Sequence, residues 1–319
     1  MQQRKLVLYY TYGRNKKAGR EGSFKSKNMW KQEWNVKIDE IWYYFSEEVP
    51  HKTIKAWRER LHREFTGKVV DLKGVPGIKF PCRERQTIFL VTDTGKYYDE
   101  AYYNKLPFLL YLHESNRQEC FQKAPYAVTG LEAAGISEIE DVYRRFYKIP
   151  WTILETERCV VRELSEDDLE ELYVVYADAS VTRYTEGLYE DKEKERAYLK
   201  EYIRSVYGLC GFGIWAVIWK KTGKLIGRAG LAVREGFETP ELGYIISVPY
   251  QRMGIAYEVC SAILKYAAEQ LCFNAVRVLF ETENEPSRRL CQKLGVHPDR
   301  HLLMEGKEME QYIYTGISK

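Results

Sequence analysis

The feature that most constrains the fold is a stretch near the C-terminal end in which a strand, a tight turn and a long helix follow one another. Glu241 to Val248 reads as a strand, and Gly254 to Leu271 carries apolar residues along most of one helical side. The turn between them is Gln251-Arg252-Met253-Gly254-Ile255-Ala256. This succession predicts an α/β fold rather than an all-helical or all-β one.

The turn has the composition of an anion-binding loop. Gly254 allows the backbone to approach another group closely, and the helix that follows contributes unpaired first-turn N–H groups and the positive end of its dipole. Arg252 adds a positive charge. Residues 251–256 are therefore predicted to bind a pyrophosphate.

Further elements surround this turn. Strands are predicted at 158–164, 212–219, 225–233, 275–282, 301–305 and 308–317, and helices at 165–177, 190–207 and 286–294. Ser165 is the predicted N-cap of the first of these helices, with Asp168 three residues further on. The predicted order is β-α-α-β-β-β-α-β-α-β-β.

This order and two motifs resemble the GNAT superfamily of acetyl-CoA-dependent N-acetyltransferases over residues 154–319. The first motif is the 251–256 turn, and the second is Asn284-Glu285-Pro286-Ser287 followed by Lys293-Leu294-Gly295-Val296. The resemblance implies a mixed central sheet flanked by helices. Glu241-Leu242-Gly243-Tyr244 and Ala256-Tyr257-Glu258 are most similar to the branch that acetylates the N-termini of ribosomal proteins, and to its small-amine relatives.

The resemblance also implies where acetyl-CoA binds. The backbone around Ile246, Ser247 and Val248 would hold the pantetheine arm and polarise the thioester carbonyl, and Asn284 and Ser287 would contact pantetheine from the opposite side. The pyrophosphate would lie on the turn, whose residues are Gln251, Arg252, Met253, Gly254, Ile255 and Ala256.

Acetyl transfer to an amine also needs a base, because primary amines are mostly protonated near neutral pH. Glu241, at the start of the central strand, is the first candidate, and Glu186 in an acceptor-side loop is the second. Glu258 is interpreted as a structural partner of its helix end. Many relatives place a tyrosine seven residues after the motif asparagine, but this chain has Cys291 there, so Tyr244 or water is the expected acid.

The expected acceptor is a peptide N-terminus or a small cationic amine. Residues 86–319 hold 29 Lys+Arg and 36 Asp+Glu, a net charge of −7 that favours a cationic acceptor. A non-catalytic acyl-CoA sensor is the alternative from another class, and turnover separates the two.

The N-terminal part, residues 1–150, is expected to be a smaller Rossmann-like α/β domain. Residues 1–85 hold 20 Lys+Arg and 10 Asp+Glu, together with many aromatic residues. Basic residues interleaved with aromatic rings can bind nucleic acid, so an RNA-directed acetyltransferase is a third hypothesis, while a basic surface over an aromatic core is the simpler interpretation.

Residues 86–150 weakly resemble the later half of a haloacid-dehalogenase-like domain. Three apolar runs, at 87–92, 108–112 and 126–128, alternate with short helical segments and predict a parallel sheet with covered faces. Asp93-Thr94-Gly95 follows the first run but lacks the second aspartate of that family's nucleophile motif. We therefore do not expect a working phosphatase.

Composition excludes several classes. No window approaches eighteen uninterrupted apolar residues, so a membrane span is not expected, and the N-terminal apolar run is too short for a signal peptide. Seven widely spaced cysteines and five scattered histidines argue against a disulfide framework and a metal site. A cytoplasmic protein without a bound metal is expected, and the sequence does not indicate its oligomeric state.

Overall fold

The structure is a computed structural model that describes residues 38–75, 80, 87–119, 121, 124 and 126–316. The chain divides into two compact units, one ending at Ile149 and the other beginning at Pro150. The strand expected at Leu6 to Tyr10 and the loop expected at 13–31 lie outside the described residues.

The first unit contains a sheet of five parallel strands in the order β2-β1-β3-β4-β5. Its elements are β1 (Glu40–Tyr44), α1 (His51–Glu64), β2 (Lys68–Asp71), β3 (Ile88–Thr92), α2 (Gly95–Tyr103), β4 (Phe108–Tyr111), β5 (Ala127–Val128) and α3 (Ile136–Phe146). The three apolar runs of the sequence are β3, β4 and β5, and they pair in parallel as predicted.

Helix α1 shows why this unit folds as it does. It starts after Pro50, and its apolar side buries Trp57 and Leu61. The indole Nε1 of Trp57 donates a hydrogen bond to the carbonyl oxygen of Ala134 at 2.7 Å, so the buried polar atom has a partner. The sequence pattern of residues 36–45 fits either a strand or a helix, and the structure has strand β1 there, between β2 and β3 and covered by this helix.

The second unit contains a sheet of eight strands in the order β12-β13-β11-β10-β9-β8-β7-β6. Its elements are β6 (Thr152–Glu155), β7 (Cys159–Arg162), α4 (Leu169–Tyr176), α5 (Ala179–Thr182), α6 (Lys192–Tyr202), α7 (Gly208–Cys210), β8 (Ile214–Trp219), β9 (Leu225–Ala232), β10 (Glu241–Ile246), α8 (Ile255–Glu269), β11 (Val276–Glu281), α9 (Glu285–Leu294), β12 (His297–Met304) and β13 (Lys307–Tyr314). A π-helical segment, Ile203–Tyr207, joins α6 to α7.

The helix and strand predictions for this unit are confirmed to within a few residues. Ser165 forms the capping box with Asp168, here at a short 3₁₀ turn that leads into α4. His297 and His301 lie on one strand, β12, and not on a helix. The strand β6 was not predicted, because its four residues carry little alternation.

One pair of strands in this sheet separates. Neighbouring strands are antiparallel except β10 and β11, which are parallel and are in register only at Glu241 and Arg277. Beyond this pair the two strands move apart toward their carboxyl ends. Parallel α/β sheets commonly bind ligands at that edge, and here the separation opens a cleft.

Candidate functional site

The cleft is a cavity of about 750 Å³ at the carboxyl end of β10. Its walls are the end of β10, the first turns of α8 and α9, and part of the segment 180–185. Eight of the eleven residues predicted to bind the cofactor line it: Ile246, Gln251, Arg252, Gly254, Ile255, Ala256, Asn284 and Ser287. Residues from separate parts of the sequence therefore converge on one cleft.

The turn before α8 adopts the backbone that its glycine allows. Gly254 has φ +78° and is the N-cap of α8, and Arg252 has φ +61°. A Cβ on Gly254 would have ordinary contact with Arg158 Nη2 at 3.6 Å, so the positive φ rather than crowding requires the glycine. No side chain of the described residues caps the helix, and its first-turn N–H groups face a potential anion.

Arg158 holds this turn in place. Its Nη1 donates to the carbonyl oxygen of Met253 at 2.8 Å, and its Nε donates to Oε2 of Glu258 at 2.6 Å. Its backbone N–H donates to Oε1 of Glu258 at 2.8 Å. Burial alone would raise the pKa of Glu258, but hydrogen bonds from the Thr156 side chain and from Arg158 outweigh it and lower the pKa. Glu258 is thus a partner of its helix end, as interpreted from the sequence.

The other side of the cleft carries hydroxyl groups. Tyr244 Oη donates a hydrogen bond to Ser287 Oγ at 2.9 Å. Asn284 Oδ1 accepts the backbone N–H of Ser287 at 3.2 Å and so caps α9. Burial raises the pKa of Tyr244, which keeps its phenol protonated near neutral pH.

Three residues predicted to bind the cofactor do not line the cavity, namely Ser247, Val248 and Met253. The N–H of Ser247 is used by the sheet, because it donates to the carbonyl oxygen of Ile226 at 2.8 Å. Val248 starts a 3₁₀ turn, and the side chain of Met253 is exposed. Contact of these three residues with the cofactor through their backbone therefore stays a prediction.

The candidate bases lie in different surroundings. Glu241 does not line the cavity, and its Oε2 is 3.0 Å from Arg234 Nε and 3.2 Å from Arg277 Nη2. Glu186 is exposed and directly follows Thr185, which lines the cavity.

The thiol at the usual tyrosine position is not in the cleft. Cys291 is 1% exposed and packs in the core, and burial raises its pKa to about 12. It is therefore the buried, inert cysteine that the sequence favoured.

Sequence reasoning missed several residues of the cleft. Tyr184, Tyr250, Arg289 and Lys293 line it as well. The spacing of Arg289 and Lys293, which is i, i+4 on α9, was a usable signal for a shared face. Nothing in the sequence pointed to Arg158, because its partner Glu258 lies 100 residues further on.

The carboxyl edge of the first unit is also polar. Asp93 is 1% exposed; its Oδ1 accepts the N–H of Ser46 at 2.9 Å, and its Oδ2 accepts the Ser46 hydroxyl at 2.5 Å. His113 Nε2 lies 3.0 Å from Oδ2. Both carboxylate oxygens are therefore engaged by the protein, which is unlike a carboxylate free to attack a substrate.

Two kinds of feature are not found among the described residues. Within them, no set of three or more His, Cys, Asp or Glu side chains is arranged to hold a metal ion. Of the helices in the same residues, none has the length and apolar character that crossing a membrane requires.

Comparison with known proteins relates the C-terminal part of the chain to one family. Residues 158–297 match the family model described as an acetyltransferase (GNAT) domain. "Uncharacterized N-acetyltransferase YoaA" of Bacillus subtilis (strain 168) is 27% identical over 171 residues, which are 52% of this chain and 96% of that protein. "Uncharacterized protein YkkB" of the same organism is 27% identical over 164 residues, 50% of this chain and 94% of that protein.

A solved acetyltransferase of the GNAT family from Bacillus anthracis is 22% identical, covers 51% of this chain and 97% of its own, and has a TM-score of 0.44. The C-terminal half of the chain is a GNAT acetyltransferase domain. The enzyme class that this domain defines is that of the acetyl-CoA-dependent N-acetyltransferases.

Proposed function

We propose that the C-terminal domain transfers the acetyl group of acetyl-CoA to a primary amine, which is a peptide N-terminus or a small amine. The observation that carries this proposal is the single cleft in which the turn at Gly254 meets the hydroxyl pair of Tyr244 and Ser287. The turn suits a pyrophosphate, and the hydroxyl pair suits the thioester end of the same molecule.

In this mechanism each group of residues contacts a different part of acetyl-CoA, from the pyrophosphate to the thioester. Arg252 and the first-turn N–H groups of α8 hold the pyrophosphate, and Asn284 and Ser287 contact the pantetheine arm. The amine nitrogen would bond to the thioester carbonyl carbon as the C–S bond breaks, and the hydroxyl of Tyr244 would offer the leaving thiolate a proton or a hydrogen bond. The second proton of the amine nitrogen would then restore the phenol. Because burial raises its pKa, the phenol of Tyr244 stays protonated and can donate a hydrogen bond, which a base could not.

The amine must lose a proton before it attacks. Of the two carboxylates considered, Glu186 is favoured, because it is exposed beside the cleft whereas Glu241 is engaged by two arginines. The proton passes to Glu186 directly or through water. Glu186→Gln should then lower kcat at neutral pH and leave acetyl-CoA binding unchanged.

The cofactor site is tested by calorimetric titration of acetyl-CoA into the wild type and Gly254→Glu. A carboxylate at the turn faces the pyrophosphate, and like charges brought together cost several kcal/mol, so binding should weaken more than about a hundredfold. Gly208→Glu is the matched control, because Gly208 has no atom within 4 Å of its Cβ position among the described residues and does not line the cavity. No binding to the wild type would overturn the proposal.

The donor role is tested with Tyr244→Phe. The rate of CoA release should fall by about 10²–10⁴, the usual contribution of a positioned acid, with little change in acetyl-CoA affinity. Tyr257→Phe is the control, since Tyr257 also lines the cleft but at its anion end. A wild type that binds acetyl-CoA and acetylates no amine would support the sensor alternative instead.

A second candidate function concerns the first unit. A cavity of about 420 Å³ has a lining with more basic than acidic groups: His51, Lys52, Lys55, Arg58 and Lys73, with Tyr43, Phe45, Ile54 and one carboxylate, Asp71, whose Oδ2 accepts a hydrogen bond from Tyr43 Oη. Lys52, Lys55 and Arg58 form no salt bridge within the part of the chain that is described. This observation supports binding of a phosphate-bearing partner such as RNA.

Fluorescence anisotropy of a labelled single-stranded RNA with the full chain tests this candidate. Reversing the charges of Lys52, Lys55 and Arg58 should weaken binding and reduce the salt slope by about 0.7 for each phosphate that the protein no longer binds. Lys265→Glu, on an exposed face of α8, is the control. Equal RNA binding by the wild type and the reversed variant would contradict the candidate.

A further inference from the structure

Arg228 is a cation beside the cleft that the proposed acetyl transfer does not use. It lies in the middle of β9, directly opposite Ile245 of β10, and Ile245 lines the cleft. Residues directly opposite one another in an antiparallel pair project from the same face, with Cα atoms about 4.5–5.5 Å apart. Arg228 is therefore one strand away from the cleft wall.

Within the described part of the chain, the guanidinium group of Arg228 has no counter-ion. Its Nη1 donates to Tyr176 Oη at 3.3 Å, and its Nε is buried without a hydrogen-bond partner among the same residues. No carboxylate among the described residues forms a salt bridge with it. Burial alone would lower the pKa of Arg228, but the hydroxyls of Tyr176, Tyr207 and Tyr202 outweigh it, so its pKa is raised and the group stays charged.

An arrangement of this kind is costly for a protein. Withdrawing a charge from water without a partner is unfavourable, and buried guanidinium groups are normally paired with a carboxylate. Tyrosine hydroxyls supply only neutral partners here. The missing charge is best supplied by an anionic ligand that accepts a hydrogen bond from the unpartnered Nε.

The same face of the sheet carries a position without a side chain. Gly243 lies two residues before Ile245 on β10, so the two share a face. A Cβ on Gly243 would meet, within 4 Å among the described residues, only Cδ1 of Ile214, at 3.3 Å. Strand β10, which borders the cleft, therefore has no side chain at position 243. This position lies between Glu241, where β10 pairs with β11, and Ile245.

We propose that Arg228, together with the hydroxyl of Tyr176, binds a carboxylate of the acceptor, so that the substrate is an amine that also carries a carboxylate. This inference rests on the proposed amine acetylation and specifies its acceptor. The positive charge of the protonated amine complements the net negative charge of residues 86–319, and the carboxylate of the same molecule pairs with the guanidinium of Arg228. A guanidinium binds carboxylates through two parallel N–H donors, which also orients the amine toward the thioester.

Kinetics with matched acceptors tests the proposal. Each of a set of L-amino acids is compared with its own amide, which keeps the amine and removes the carboxylate. The wild type should prefer the acid by at least tenfold in kcat/KM, and Arg228→Met should lose this preference while binding acetyl-CoA normally. Arg228→Lys keeps the charge without the two-donor edge and should retain part of the preference for the acid. A wild type that acetylates the amide as well as the acid would overturn the proposal.

A binding experiment gives an answer that does not depend on turnover. N-acetylglycine and N-acetylglycinamide, each in excess, are added to the CoA-loaded protein, and the shift in Tm is measured. The acid should raise Tm more than the amide in the wild type and in Arg196→Met, a control at a surface arginine of α6, but not in Arg228→Met. Equal shifts with the two compounds would overturn the proposal even if the acetyl-CoA titration succeeds. Failure of that titration would instead count against the acetylation itself.

Discussion

Two arginines on either side of strand β10 have opposite surroundings. Arg277 on β11 is fully buried; its Nη2 lies 3.2 Å from Glu241 Oε2, its Nη1 donates to the carbonyl oxygen of Thr239 at 2.6 Å, and its guanidinium lies 3.8 Å from the ring centre of Phe237. Arg228 on β9 has tyrosine hydroxyls, and no carboxylate of the described residues, near its charge. The Nε atoms of both lack a hydrogen-bond partner within those residues, so the carboxylate is what distinguishes them.

The difference indicates a structural role for Arg277 and a ligand-binding role for Arg228. The carboxylate partner of Arg277 comes from the chain itself and joins β10 to β11 at the point where the two strands are in register. The pair therefore sets where the two strands begin to separate, and hence where the cleft starts. Arg228 has no such task, and its charge is available to a ligand.

The largest expected effect is on stability and comes from breaking the paired arginine. Glu241→Ala leaves Arg277 buried without its carboxylate, and removing one partner of a buried pair typically costs about 3–5 kcal/mol. Urea denaturation measures the free energy of unfolding. Replacing both partners, in Glu241→Leu with Arg277→Met, should restore part of the loss. A loss below about 1 kcal/mol in Glu241→Ala would mean that the two arginines do not differ as described.

A smaller effect is expected at the paired arginine of the anion-binding turn. Arg158→Met removes the hydrogen bonds to Met253 and to the Glu258 carboxylate, and bonds to charged groups contribute about 1.5–3 kcal/mol each. Acetyl-CoA affinity should fall about tenfold because the turn loses its support, as calorimetry can measure. Arg300→Met, at an exposed arginine of β12, should not change it. Unchanged affinity in Arg158→Met would show that the turn holds its shape alone.

The third prediction is a pH dependence. The pKa of Glu258 is lowered in the folded protein, so its contribution to stability is present above the ordinary carboxyl pKa and is lost as pH falls through the lowered one. Between about pH 6 and pH 3 the wild type should lose more stability than Glu258→Gln. Parallel curves of unfolding free energy against pH for the two proteins would contradict this.

The smallest expected effect is at the unpaired arginine. Arg228→Met removes a charge that has no carboxylate partner among the described residues, and it places an apolar side chain of similar length in the same space. Stability should change by less than about 1 kcal/mol, or increase, because replacing an uncompensated charge by an apolar side chain is not penalised. Measured by the same urea denaturation as Glu241→Ala, a loss of several kcal/mol would mean that Arg228 has a structural partner after all.

Much of the fold could be predicted from the sequence. Helix α1 follows from the spacing of Trp57 and Leu61 after Pro50, and helix α8 follows from its apolar side and the glycine before it. These are local signals, since the period of apolar residues and the residue at a helix end act within a few residues. The turn at 251–256 was located for the same reason, because its residues are contiguous.

The predicted site residues that do not line the cleft have partners that are distant in the sequence. Glu241 was the first choice for the base from its position at a strand start, and nothing nearby in sequence reveals that Arg277 would bind it. Ser247 was expected to contact the cofactor, but β9 takes its N–H. Hydrogen-bond partners across a sheet are set by strand order and register, which local patterns do not specify.

The sequence by itself determined the local elements and the GNAT resemblance of residues 154–319, and it predicted an anion-binding turn. Only the tertiary structure decided which charges are neutralised by partners within the chain. Arg228 and Arg277 have similar neighbours in the sequence, since each is flanked by apolar or small residues on a strand. They differ because the strand register places Glu241 beside one and Ile245 beside the other. Coulombic interactions depend on distance in space, and only the folded chain sets that distance.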